Sequence, residues 1–257
     1  MRAILRGARL ILHLCSGVAL VLLLAVDLSG RIEPERLTRW WNTRLLKILN
    51  VRVRVRGQPL QGPQLIVCNH VSWLDISVIA SSELTRFVSK AEVGSWPIAG
   101  WLANAAGTFY IRRGAGGTKQ LIQALAAHLR QDGSAMLFPE GTTTDGGAML
   151  KFQPRLFAAA IDSGSPVQPL ALRYGRAANG ENIAAFIGEQ TLTNNLARLL
   201  RERELTVELT YCAPIQPQGG QDRDALAQAA QKAIGAIVAP EAPPAARDVE
   251  KRESLAA

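Results

Sequence analysis

Cysteine is scarce in this chain. Its three residues, Cys15, Cys68 and Cys212, are far apart and odd in number. They form neither a disulfide framework nor a metal-ligand spacing, and they fit a reducing compartment. Histidine is equally rare, limited to His13, His70 and His128, so imidazole chemistry has few candidates. No Gly-x-Ser-x-Gly elbow occurs, which argues against a serine hydrolase. No internal repeat is present, and nothing suggests a metal site. Acidic residues are outnumbered, 21 against 29 basic ones, leaving a net charge of +8. Anionic partners follow: nucleic acid, an acidic membrane surface or an acidic carrier molecule. A nucleic-acid binder would interleave aromatics with its basic residues on one sheet face. The run containing Arg52, Arg54 and Arg56 has no aromatic, so nucleic acid is not an expected partner.

What the chain does have is length and apolar residues. At 257 residues, 48% hydrophobic and 19% charged, it can build one substantial α/β domain with an accessory segment. The accessory segment is the N-terminus, residues 1–49. An apolar run, Leu10 to Leu28, follows Arg2, Arg6 and Arg9. A cleaved signal peptide is disfavoured because no small-x-small site precedes a plausible mature start. A spanning helix has the required length, yet Arg31, Arg36 and Arg39 follow the run, so the positive-inside bias has no direction. A helix that dips into one leaflet accounts for both flanks, and the spanning form stays open. Next, Pro34 to Leu49 opens with proline at a helix start. Leu37, Trp41, Leu45 and Ile48 share a stripe, while Arg39, Arg44 and Lys47 lie elsewhere. That describes a basic amphipathic helix in a headgroup layer, or else a surface helix packed on the following domain.

From Val51 the period changes to two, with Val51, Val53 and Val55 alternating with arginines. Further strands are predicted at Leu65 to Cys68, Arg86 to Ser89, Thr108 to Ile111, Ala135 to Phe138, Val167 to Leu172, Ala184 to Ile187 and Thr206 to Tyr211. Helical patterns intervene, the clearest at Thr118 to Arg130 with Gly133 beyond it as a stop. Asp222 to Val238 reads as a last amphipathic helix. The expected fold is therefore α/β, a mixed and largely parallel sheet covered by helices, spanning residues 50–239 behind a two-helix membrane-anchoring motif. Residues 240–257, rich in Pro, Ala and charge, have nothing to bury and are expected to be disordered.

Three short segments carry chemistry. Asn69-His70-Val71-Ser72-Trp73-Leu74-Asp75 follows an apolar strand. Histidine accepts a proton near neutral pH, and a carboxylate can hold its tautomer. Five residues along an unbroken helix rotate by about 140°, so the two side chains would diverge. They meet only if His70 lies in the loop and Asp75 in the first turn of the next helix. Ser72 and Asp75 have the spacing of a capping box, so Asp75 acting only as a helix cap is the alternative. Phe138-Pro139-Glu140-Gly141-Thr142-Thr143-Thr144 also follows an apolar strand, where open α/β sheets bind ligands; a plain polar turn is the alternative. Gly107 to Gly114 delivers Arg112 and Arg113 into a loop, suited to a phosphate or simply to solvent. Cys68, His13 and His128 read as structural.

The order NHVSWLD, GTFYIRR, FPEGTTT and PVQP (Pro166 to Pro169) resembles the four blocks of the glycerolipid acyltransferase family, which includes 1-acylglycerol-3-phosphate acyltransferases. The resemblance spans roughly Val51 to Tyr211. It implies that His70 takes the proton of an acceptor hydroxyl and that Asp75 orients it. Arg113, with Arg112 beside it, would bind the acceptor phosphate, and Glu140, Gly141 and Thr142 would border the glycerol moiety. The implied reaction moves an acyl group from acyl-CoA or acyl carrier protein to the sn-2 hydroxyl of a lysophospholipid. It needs no cofactor and takes place at the cytoplasmic face of a membrane. Phosphatidate-forming members often carry arginine where this chain has Thr143. The implied acceptor is 1-acyl-sn-glycerol-3-phosphate, with a larger-headgroup lysophospholipid or lyso-ornithine lipid as the alternative, beside a non-catalytic lipid-binding relative.

Overall fold

The computed structural model describes residues 2–26, 33–96, 99–111, 117–177, 179–218 and 222–238. Its centre is the most apolar of the predicted strands, β2 (Leu65–Cys68). Leu65 and Val67 enter the core on one side of the sheet, Ile66 and Cys68 the core on the other. A strand buried on both faces reads as a continuous apolar run, as this one does. The seven-stranded sheet has the order β1 (Val51–Arg56), β7 (Leu205–Tyr211), β6 (Val167–Tyr174), β2, β5 (Ala135–Leu137), β3 (Arg86–Lys90), β4 (Phe109–Ile111). From β6 to β4 all neighbours are parallel. β7 is antiparallel to β6, and β1 is parallel to β7, so this pair runs against the rest. The sheet is thus mixed and largely parallel.

Helices cover both faces. On one lie α2 (Pro34–Leu49), α3 (Leu74–Ser82) and α7 (Leu192–Arg201), through Leu45, Leu49, Leu74, Val78 and Leu199. On the other lie α5 (Gly117–Arg130), α6 (Ala158–Ser163) and α8 (Arg223–Val238), through Leu121, Leu125, Ala159, Leu226 and Ile234. The spacing of Leu121, Leu125 and Leu129 puts them on one helical stripe, and all three are buried. α4 (Ala99–Ala105) lies between β3 and β4. The arginines of β1 have a local use: Arg52 pairs with Glu204 and Arg56 with Glu208, at 2.8 and 2.9 Å.

Three expectations need correction. Ala184 to Ile187 forms no strand, although Ala184 and Ala185 are buried. Its backbone bonds go elsewhere: Phe186 N–H donates to the Val71 carbonyl (3.0 Å), and Asn195 Nδ2 donates to the Ala185 carbonyl (3.2 Å). The segment is an apolar prop under the loop that follows β2. β6 extends beyond Leu172 to Tyr174 because its pairing with β7 continues to Tyr174↔Val207. Finally, the apolar stripe of α2 faces the domain rather than lipid, with Leu45, Leu46 and Leu49 buried. The arrangement is that of a helix packed on the domain, with Trp40 left outside beneath the Arg44 guanidinium.

α1 (Arg2–Val26) docks along one face. Leu10 and His13 are buried, and the His13 ring stacks on Trp41 at 4.3 Å. A Cβ on Gly17 would lie 3.1 Å from both Trp41 Nε1 and Leu102 Cδ2, so glycine permits the close crossing. The Arg6 guanidinium donates to the carbonyls of Glu202 and Arg203, just past the end of α7. The opposite face presents Ile4, Leu5, Ile11, Leu12, Leu22 and Val26 to the outside. The tail from Pro240 lies outside the described residues.

Candidate active site

The parallel strands β2, β5 and β6 end side by side, and each delivers a residue to the same point. β2 leads into His70, β5 into Glu140, and β6 ends on Tyr174. Asp75 comes from the first turn of α3. His70 Nδ1 lies 2.8 Å from Asp75 Oδ2, so the dyad predicted from the spacing is formed. The cap alternative is realised as well. The same oxygen accepts the backbone N–H groups of Val71 (2.7 Å) and Ser72 (2.9 Å), while Ser72 Oγ accepts Leu74 N–H (3.3 Å). Asp75 therefore folds the loop and holds the imidazole with one carboxylate.

The second oxygen, Oδ1, accepts the Tyr174 hydroxyl at 2.7 Å. Asp75 is 0% exposed, and its carboxylate accepts the Val71 and Ser72 N–H groups and the Tyr174 hydroxyl. An ionised carboxylate only accepts, so Nδ1 carries the proton and Nε2 keeps its lone pair. Among the described residues nothing hydrogen-bonds Nε2, and the His70 side chain is 19% exposed. Its ring stacks on Phe138 at 3.9 Å and 12°, which fixes the plane of the imidazole. Burial, with the Asp75 carboxylate beside it, pushes the Tyr174 phenol well above its ordinary pKa. The hydroxyl remains a donor throughout the working range.

Glu140 is buried, and both of its oxygens are engaged by backbone. Oε1 accepts His70 N–H and Oε2 accepts Leu150 N–H, each at 2.7 Å. Burial raises its pKa, opposed by these two hydrogen bonds. The carboxylate works as a clasp between the β2 and β5 loops. Gly141 turns the chain at φ 73°, and a Cβ there would meet Gln153 Nε2 at 2.7 Å, so this turn requires glycine. Thr142 is exposed. Thr143 donates its hydroxyl to the Phe186 carbonyl. Thr144 donates to the His70 carbonyl through N–H (2.9 Å) and Oγ1 (3.3 Å). Arg112 and Arg113 lie outside the described residues.

Cys68 is fully buried, and burial pushes its thiol pKa well up, with Asp75 and Glu140 adding to the rise. A thiol held neutral there is no nucleophile. His128 Nε2 sits 3.2 Å from the Ser134 carbonyl, a structural role like that of His13. Tyr174 and the Phe186 prop had no motif to announce them, and Phe138, which opens the FPEGTTT block, was not foreseen as the stacking partner of His70. The one available signal was that Tyr174 lies two residues past the predicted end of an apolar strand.

The comparisons with known proteins identify the family. A family model described as Acyltransferase matches residues 51–173. The lyso-ornithine lipid O-acyltransferase of Pseudomonas aeruginosa is 43% identical over 239 residues, 91% of this chain and 92% of that protein. The chain belongs to the acyltransferase family. Another member, the 1-acyl-sn-glycerol-3-phosphate acyltransferase of Neisseria gonorrhoeae, is 31% identical over 69% of this chain and 70% of that one. The crystal structure of the 1-acyl-sn-glycerophosphate acyltransferase of Thermotoga maritima shares the fold, with a TM-score of 0.59 and 19% identity. It covers 79% of this chain and 78% of that one. The protein is thus an acyltransferase of lipid metabolism.

Proposed function

We infer that the protein acylates the hydroxyl of lyso-ornithine lipid, using an acyl thioester and His70 as general base. The observation that carries the chemistry is the locked tautomer: Asp75 holds Nδ1–H at 2.8 Å and leaves Nε2 to accept a proton. As the acceptor oxygen attacks the thioester carbonyl, its proton passes to Nε2, and Asp75 stabilises the imidazolium. The tetrahedral intermediate then collapses, the C–S bond breaks, and the thiolate of CoA or acyl carrier protein recovers the proton from His70. No acyl-enzyme intervenes, in keeping with the buried, neutral Cys68.

Two observations support lyso-ornithine lipid as acceptor. The Pseudomonas relative with that activity aligns over nearly the whole of both chains. Thr143 also brings no cation to the site, and its hydroxyl is spent on the Phe186 carbonyl. A second reading, 1-acyl-sn-glycerol-3-phosphate as acceptor, is supported by the Neisseria relative and by the Arg112-Arg113 pair in the sequence, suited to a phosphate. In both readings residues 1–49 form the attachment module and residues 50–239 the catalytic domain. α1 is long and apolar enough to cross a membrane, but Arg6 and Gly17 tie two points of it to the domain. That docking favours a helix lying in one leaflet with its free apolar face in lipid, at the cytoplasmic face where thioester donors are found.

The test is acyl transfer by the purified protein to lyso-ornithine lipid and to 1-acyl-sn-glycerol-3-phosphate, with acyl-CoA and with acyl carrier protein as donors. His70→Ala should lower transfer by about 10²–10⁴-fold with unchanged circular dichroism. Transfer at the unaltered rate in that variant would refute the mechanism.

A further inference from the structure

Beside the catalytic loop lies an open cavity of about 230 Å³ that the acyl-transfer chemistry does not use. Asp145, Arg176, Glu181, Asn182 and Gln190 line it, with Ile187. Its walls are tied by backbone hydrogen bonds to the loop that carries His70. Thr144, which holds the His70 carbonyl, immediately precedes Asp145, and Asn182 Nδ2 donates to the Asp145 carbonyl at 2.9 Å. The neighbouring Phe186 props the Val71 carbonyl. A molecule in this cavity would therefore sit against the segments that hold the His70 loop.

The charges of the cavity are of both signs, and two of them are bonded only to backbone. Asp145 Oδ1 accepts Gly147 N–H (2.8 Å), and Arg176 Nη1 donates to the Gly180 carbonyl (2.9 Å). Neither side chain has an ion-pair partner among the described residues, and both are exposed. They nevertheless flank the same spot. A Cβ on Gly147 would stand 3.3 Å from both Asp145 carboxylate oxygens and 3.4 Å from Arg176 Nη2. Glu181 brings a further carboxylate to the rim, shared with Arg198. Two opposite charges beside a residue without a side chain, and unpaired with each other, form a cradle for a ligand carrying both signs.

We propose that this cavity binds the headgroup of the acceptor as a zwitterion, with its carboxylate on Arg176 and its ammonium on Asp145 and Glu181. The assignment rests on the lyso-ornithine reading above and extends it to the residues that choose the headgroup. Ornithine acylated on its α-amine keeps one carboxylate and one ammonium, and carries no phosphate. A phosphate monoester would gain Arg176 but face Asp145 and Glu181, so the same residues discriminate by repulsion as well as by attraction.

The experiment uses the full-length purified protein, saturating acyl thioester and four acceptors. These are lyso-ornithine lipid, its analogue acetylated on the free amine, its carboxyl methyl ester, and 1-acyl-sn-glycerol-3-phosphate. On the unaltered protein both analogues should show a KM raised about fivefold, the loss expected for one partly exposed charge pair. Asp145→Asn should raise the KM for lyso-ornithine lipid by a similar factor, leave the donor KM alone, and add nothing against the acetylated analogue. Arg176→Gln should behave the same way towards the methyl ester, and Arg176→Lys should recover part of the loss. Analogues or variants with the KM of the unaltered pair would overturn the cavity assignment while leaving the acceptor identified. A protein that acylates 1-acyl-sn-glycerol-3-phosphate and no lyso-ornithine lipid would overturn the acceptor reading and the assignment with it.

Discussion

Asp75→Asn separates the two tasks of the aspartate. Its Oδ2 accepts three donors and its Oδ1 accepts the Tyr174 hydroxyl alone. An asparagine can keep its oxygen at the crowded position and turn its NH2 towards Tyr174, whose hydroxyl then rotates to accept. The loop, the cap and the packing survive, and what disappears is the negative charge. The imidazolium formed during transfer loses a carboxylate about 4 Å from its charge centre. At an effective dielectric of ~20 that interaction is on the order of 4 kcal/mol. Each 1.36 kcal/mol is about one decade in rate, so kcat should fall about 10³-fold. Turnover with lysolipid and acyl thioester at saturation, together with a thermal melt, measures both tasks. A variant that melts like the unaltered protein and turns over a thousandth as fast supports the argument. One that keeps a tenth or more of the rate refutes the role of the charge.

The supporting contacts carry their own expected outcomes. Tyr174→Phe keeps the ring and leaves Asp75 Oδ1 buried without its donor, so the melting temperature should drop by roughly 2–8 °C, with a smaller loss of turnover than Asp75→Asn, read by calorimetry and kcat together. Glu140→Gln turns an NH2 towards one of two backbone N–H groups and should cost about 1–3 kcal/mol in denaturant unfolding. Burial places the folded-state pKa of Glu140 above its unfolded value. The folded state therefore binds that proton more readily, and the contribution is fully present below the unfolded pKa and lost as pH rises through the folded one. Unfolding across the carboxylate range should show that slope in the unaltered protein and a flatter one in Glu140→Gln. Deleting residues 1–30 removes the exposed apolar face of α1. Residual vesicle binding through Trp40, Arg39, Arg44 and Lys47 should then require anionic lipid and fade with salt, as co-sedimentation will show.

Much of this protein was legible locally. β2 is apolar on both faces because it is buried on both, and the five-residue step from His70 to Asp75 announces a strand–loop–helix corner, since no single helix brings those side chains together. Both signals depend only on residues adjacent in the chain, and so does the proline start of α2. Other features depended on which strands lie next to β2. Tyr174 and Glu140 reach the His70 loop because β6 and β5 flank β2, a consequence of parallel pairing such as Leu65↔Ala135 and Leu65↔Val167, between residues far apart in the chain. Ala184 to Ile187 has the composition of a strand, but its backbone is satisfied by the His70 loop and by Asn195 instead of a ladder. The apolar stripe of α2 could serve lipid or protein equally well, because hydrophobic burial is non-directional. Only the position of α3 and β1 turned that stripe inward, while the outer face of α1 stayed exposed.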